Sequence, residues 1–205
     1  MSRHAPEVSP RSWRIAVISW VIVVSAVIIA ALLIASQSQT FNTSLIFDRL
    51  DGQWTIRSGR AEADRVVLRS TANSIGLALH PIDSSPFTLQ ARVDFASSQG
   101  SGGLIVQADD PDHLTAFLIS NDGYFRVSDY RNGAWIDRAA WRTWPHIKRD
   151  GTANVLRAEC GSDICTFFVN DEWTWQEQGV PATRWIGVVA DGTSEVCFDQ
   201  LGWQP

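Results

Sequence analysis

The stretch "FTLQARVDF", residues 87–95, alternates without exception. Phe87, Leu89, Ala91, Val93 and Phe95 fall on one face, and Thr88, Gln90, Arg92 and Asp94 on the other. Period two over nine residues is the pattern of an antiparallel strand with one face in a core. Similar runs flank it: "RVVLRS" (65–70), "IGLAL" (75–79), "GLIVQA" (103–108), "LTAFLIS" (114–120), "YFRVSDY" (124–130), "NVLRAEC" (154–160), "CTFFVN" (165–170), "WIGVVA" (185–190) and "EVCFDQL" (195–201). Turn clusters such as "DDPDH", "NDG", "RNG", "RDG", "GSD" and "DGTS" divide them. Short strands at this spacing, with no long helical segment between them, predict an all-β sandwich or barrel over residues 46–205.

Within "FFVNDEWTWQEQ" (167–178), Asn170-Asp171 predicts a hairpin tip, because both residues tolerate positive φ. Strand alternation then places Trp173 and Trp175 on one face, with Thr174 on the other. Such a pair either closes a core or offers a flat apolar platform to a sugar ring or a protein partner.

Ahead of this region, residues 15–35 ("IAVISWVIVVSAVIIAALLIA") run for 21 positions without a charge. As a helix they span roughly 30 Å, the thickness of the hydrocarbon layer. Apolar residues cover the whole circumference, and the run exceeds the roughly 7–15 residues of a signal-peptide core. The expectation is a membrane-spanning anchor. Arg3, Arg11 and Arg14 precede it and no Lys or Arg follows until Arg49, so residues 1–14 face the cytoplasm and the rest lies outside. Trp13, Arg14 and Trp20 are the candidate anchoring side chains, and residues 36–45 form a polar tether that includes the sequon Asn42-Thr43-Ser44. The predicted localisation is the cell membrane, single-pass, with the bilayer as a partner through residues 15–35.

The chain carries a net charge of −5, and setting aside Arg3, Arg11, Arg14 and Glu7 leaves about −7 on the exported part. Only Lys148-Arg149 approaches a basic cluster, which argues against nucleic acid as a partner. An exported domain this acidic is expected to stand off anionic headgroups.

Cys160 and Cys165 flank "GSDI", a loop that sets them opposite each other across two strands, where a disulfide is geometrically reasonable. Cys197 is left over, expected as a small buried apolar side chain. The three cysteines lack paired metal-ligand spacing, and the four histidines are scattered. Asp109, Asp110 and Asp112 in "DDPDH" are the candidate ligands for a calcium ion, against the plainer reading of an Asp-Pro turn. No cofactor is otherwise expected.

The order of segments in "HLTAFLISNDGYFRVSDYRNGAWIDRAAW", followed by "NVLRAEC…FFVN" and "GVVADGTSEVCFDQL", resembles the concanavalin A-like jelly-roll domains. The likeness extends to family 16 glycoside hydrolases, laminin G-type modules and the "domain of unknown function 1080" modules. It covers residues 46–205, with Asp171 where the family's paired strands end in a Val-Asn-Gly turn. It implies a jelly-roll β-sandwich tethered outside a bacterial membrane, with the tryptophan-rich "WIDRAAWRTW" (Trp135, Trp141, Trp144) packed inside. Fold does not imply activity. Family 16 hydrolases carry a strand motif Glu-x-Asp-x-x-Glu, whose same-face carboxylates act across one glycosidic bond. Here "EADRVV" supplies Glu62 and Asp64 but has Val67 in the third place, so no such enzyme is expected. No Gly-x-Ser-x-Gly elbow is present either.

The sequence thus predicts a non-catalytic, membrane-anchored interaction module. Its first reading is an accessory or stabilising subunit of a larger membrane complex, and its second a lectin-like module binding extracellular glycan or envelope material. A degenerate glycoside hydrolase-like enzyme is a distant third. Trp173, Trp175, Trp135 and Tyr124 are the candidate ligand- or partner-binding residues.

Overall fold

The computed structural model describes residues 48–49, 54–62, 64–83, 86–96, 99–180 and 183–205. Residues 1–14, expected to face the cytoplasm, the apolar segment 15–35 and the expected tether 36–45, and with them Trp13, Arg14 and Trp20, all lie outside the described residues.

The described chain is all strand and turn. In order, the strands are β1 (Asp48–Arg49), β2 (Thr55–Arg57), β3 (Gly59–Ala61), β4 (Arg65–Ser70), β5 (Gly76–Pro81), β6 (Phe87–Phe95), β7 (Ser101–Asp110) and β8 (His113–Ser120). They continue as β9 (Tyr124–Arg131), β10 (Ala134–Thr143), β11 (Asn154–Cys160), β12 (Ile164–Val169), β13 (Glu172–Gln178), β14 (Trp185–Asp191) and β15 (Ser194–Gln204). Two antiparallel sheets result. One runs β13-β12-β11-β6-β15-β4-β3, with β1 also pairing β15; the other runs β10-β9-β8-β7-β14-β5-β2. This is the two-sheet sandwich that the alternating pattern predicts, and consecutive hairpins supply β7-β8-β9-β10 and β11-β12-β13.

β6 shows why the sheets stack. Its five apolar residues are all buried and its four polar ones half-buried, so the strand gives one whole face to the space between the sheets. Leu68, Leu89, Val93, Leu156, Phe167 and Phe198 from the first sheet meet Leu104, Phe117, Val127 and Val188 from the second. Phe117 and Phe167 stack across the gap with ring centroids 4.7 Å apart.

The outer faces differ. On the first sheet the outer face is polar and laced with ion pairs: Arg92–Asp199 at 2.6 Å, Arg69–Glu195 at 2.5 Å and Arg157–Glu159 at 3.0 Å. On the second sheet the middle of that face is apolar and buried. Leu77, Leu79, Ile105, Leu114, Leu118 and Val189 form a separate cluster drawn from β5, β7, β8 and β14, with Trp135 and Trp185 packed against it. Strands buried on both faces read as continuous apolar runs rather than alternation, which is how "GLIVQA", "LTAFLIS" and "WIGVVA" are written.

The Asn170-Asp171 tip forms as expected: φ is 53° and 67° at the two residues, and Val169 pairs with Glu172. Asn170 is more than a turn former. Its Oδ1 accepts from Val155 N–H (3.0 Å), and its Nδ2 donates to His146 C=O (2.7 Å) and to Asn154 Oδ1 (2.9 Å). These bonds tie the hairpin to the loop before β11.

Cys160 and Cys165 face each other in register and are bonded, with an S–S distance of 2.00 Å. Cys197 departs from expectation. Val196 and Phe198 point into the core, so alternation turns Cys197 to the outer face, where it is half-buried. The remaining burial pushes its thiol pKa up, and the Asp199 charge adds to the effect.

Candidate functional site

β10, an edge strand, carries two irregularities in its pairing with β9. The register shifts between Asp137 and Ala139 and again between Ala139 and Arg142. The second shift presents Trp141 to the outer face of the seven-stranded sheet, while Ala139 stays in the core and Trp144 packs against it. The expectation that the "WIDRAAWRTW" tryptophans all pack inside therefore holds for Trp144 alone. Trp141 is 38% exposed, and Trp135 lies against the outer apolar cluster. A bulge re-aims a side chain in a way that composition does not announce.

Trp135, Asp137 and Trp141 form a cage around one cation. The Arg126 guanidinium, on the neighbouring β9, lies 4.8 Å from the Trp135 ring centroid and 4.7 Å from that of Trp141. It donates to Asp191 Oδ2 at 2.7 Å and lies 3.8 Å from Asp137 Oδ1. Ser128 Oγ in turn donates to Asp137 at 2.6 Å. Only 8% of Arg126 is exposed. Burial lowers the pKa of its guanidinium against the opposing pull of Asp191 and Asp137, and an arginine stays charged through such a shift.

Beside this cage a cavity of about 510 Å³ opens at one end of the same face. β7 brings Ser101, opposite Ser120 of β8 on one side and Asp191 of β14 on the other. The β8–β9 turn adds Asp122 and Tyr124, β10 adds Trp141, and Gln99, Gly100 and Gly192 close the rim. Tyr124 is 37% exposed, so two aromatic side chains and two carboxylates share one wall with two serine hydroxyls. Ser120 Oγ donates to Asp122 Oδ1 in a short bond and accepts from Tyr124 N–H at 3.1 Å, which fixes the turn. Gly100 has φ of 99°, and a Cβ there would come within 2.4 Å of the Ser194 Cβ, so the rim needs glycine.

Of the sequence-predicted site residues, Tyr124 lies on the cavity wall and Trp135 stands behind it, against Arg126. Trp173 and Trp175 are elsewhere, on β13 at the far edge of the other sheet. Nor do they share a face. Trp175 pairs with Phe167, which points inward, and Trp173 pairs with Phe168 beside it. The register shift between those pairs absorbs Thr174, which is buried, and breaks the alternation. Trp175 packs against the core, donates Nε1 to Glu177 at 3.0 Å and lies under Arg142 at 4.7 Å. Trp173 is 53% exposed.

The aspartates of "DDPDH" do not converge. Asp110 accepts from Asp112 N–H and pairs with His113 Nδ1 at 2.9 Å, while Asp112 pairs with Arg57 at 2.9 Å. The hydrogen bond with His113, then that from Asp112 N–H, holds the Asp110 carboxyl below its usual value. Among the described residues, no three His, Cys, Asp or Glu side chains are grouped as a metal ion would need. Glu62 lies in the turn between β3 and β4 rather than on a strand. It is bound by Arg60 at 2.8 Å and Arg65 at 2.7 Å, and Val67 is buried on β4.

No family model matches the sequence, and no curated protein does. Solved structures do share the fold. A carbohydrate binding module, CBM66, from Bacillus subtilis superposes with a TM-score of 0.62 at 15% identity, over 74% of this chain and 95% of that one. The carbohydrate recognition domain of Emp47p gives 0.53 at 16% identity, over 79% and 90%. A sialidase gives 0.53 at 12% identity, over 74% of this chain and 17% of that one. Likeness at such identities is likeness of fold: the described residues form a two-sheet β-sandwich of the jelly-roll kind that these structures share.

Proposed function

We propose that this chain is a glycan-binding module, held at the outer face of a membrane by residues 15–35. The observation that carries the reading is the cavity at the end of the seven-stranded sheet, where Tyr124 and Trp141 stand half-exposed beside Asp122, Asp191, Ser101 and Ser120. A sugar ring has an apolar face that stacks on an aromatic ring and a rim of hydroxyls that bond to carboxylates and serines. The wall offers both at once. The fold is shared with a carbohydrate binding module and a carbohydrate recognition domain, which supports the same reading. The glycan-binding alternative therefore takes precedence over the accessory-subunit reading.

The test is a glycan array probed with the purified full-length chain in detergent, followed by calorimetric titration of the best ligand. Trp141→Ala and Tyr124→Ala are each expected to weaken binding at least tenfold while the melting temperature holds. An array without a single binder, or affinity indifferent to both substitutions, would remove the proposal.

A further inference from the structure

We infer that the cavity selects glycans without negative charge, meaning neutral or amine-bearing sugars, and excludes those carrying carboxylate, sulfate or phosphate. The inference rests on the glycan-binding reading and names the ligand class of the same site.

Two features of the wall point the same way. The first is charge. Asp122 and Asp191 line the cavity, and no lysine or arginine is among its described lining residues. The Arg126 guanidinium, behind the wall, is already shared between Asp191 and Asp137. Trp135 and Trp141 stack over it, so it is enclosed rather than presented. Arg149 packs against Gly123 in the β8–β9 turn, outside the lining set. A ligand anion would meet two carboxylates with one enclosed cation behind them, a repulsion that acts at short range and grows as salt is lowered.

The second feature is hydrogen-bond polarity. A carboxylate only accepts, and the Ser120 hydroxyl spends its proton on Asp122. The two carboxylates therefore give this wall two acceptor-only groups beside the donors of Trp141, Tyr124 and Gln99. Sugar hydroxyls and ammonium groups bring donors to such a wall, whereas a carboxylate or sulfate brings further acceptors. Repulsion against the wrong ligand is a route to specificity distinct from attraction to the right one.

The experiment uses the full-length chain in detergent at about 20 mM salt, where charge effects are least screened. The array carries neutral hexose and N-acetylhexosamine oligosaccharides and glucosamine oligomers, together with uronate, sialylated and sulfated glycans. The best neutral ligand is then oxidised at C6 to its uronate and titrated alongside its parent. The binders are expected to be neutral or amine-bearing, and the uronate to bind at least tenfold more weakly. Raising salt to 0.5 M, or substituting Asp122→Asn, should each narrow that gap. Uronate binding as tight as the parent, or a gap that Asp122→Asn leaves unchanged, overturns the inference while the glycan-binding reading stands. Absence of binding to every glycan overturns both.

Discussion

Trp173 and Trp175, two positions apart on one strand, point to opposite sides of their sheet. The cause is the register shift that pairs Trp175 with Phe167 and Trp173 with Phe168, leaving Thr174 without a cross-strand partner. The two indoles therefore have separate roles. Trp175 is covered by Arg142 and packed on the core, whereas Trp173 is half in solvent. Trp175→Ala should cost about 3 kcal/mol and Trp173→Ala less than about 1 kcal/mol. Urea titrations of the two variants measure this; equal losses would mean that the indoles are equivalent.

Asp171 sits at φ of 67°, in the left-handed region that favours glycine. A non-glycine residue in that region carries strain that glycine does not. Asp171→Gly should therefore stabilise the chain by ~0.5–1 kcal/mol, read as a rise in melting temperature. A fall would show that the Asp171 carboxylate, 3.9 Å from Arg157, contributes more than the strain removes.

Asp129 gives a pH dependence with a definite sign. Burial acts to raise its carboxyl, but the hydrogen bonds from Arg138 and Thr115, with the Arg138 charge, outweigh it and hold the group below its ordinary value. A carboxyl depressed in the folded state contributes stability that is fully present above the unfolded value, near 3.9, and is lost as pH falls through the folded value. The stability gap between the chain and its Asp129→Asn variant should be widest near pH 6 and narrow below about pH 4. Denaturant melts at pH 6, 4 and 3 check it, and a gap that widens with acid would contradict it.

The Cys160–Cys165 bond closes a loop with a sequence separation of only 5. Loop entropy predicts that reduction costs about 2 kcal/mol or less. Melting in a reducing agent should shift the midpoint by several degrees without loss of the β-sheet circular dichroism signal. Complete unfolding on reduction would assign the bond a larger role than its loop length allows.

The strands were readable in the sequence because their hydrophobic pattern is consistent: β6, β4 and β11 run over the residues their patterns mark. The short β2 and β3 were missed, since "TIR" and "GRA" are too brief to show a period. Bulges escaped as well. One extra residue at Thr174, or between Ala139 and Arg142, leaves composition untouched while reversing which side chain faces out. Strand alternation alone therefore sets Trp173 beside Trp175, and the family resemblance alone sets Trp141 inside. The cavity was illegible for a different reason. Its wall joins Ser101, Ser120, Trp141 and Asp191, which lie in separate hairpins and share no spacing that a motif could record. Of the lining residues, Tyr124 alone is among the binding candidates that the sequence offers.

The last strand, β15, lies between β6 and β4 and also receives β1 through Asp48↔Trp203 and Arg49↔Gly202. The centre of the first sheet is thus filled by the residues of β15, which are made after those of both its neighbours. Until they emerge, β6 and β4 have no neighbour on the sides they turn toward each other, and the nascent domain carries two open sheet edges. A chain stopped before Ser194 would lack that keystone, so quality control during biosynthesis should treat such truncations as unfolded rather than as shortened but working modules.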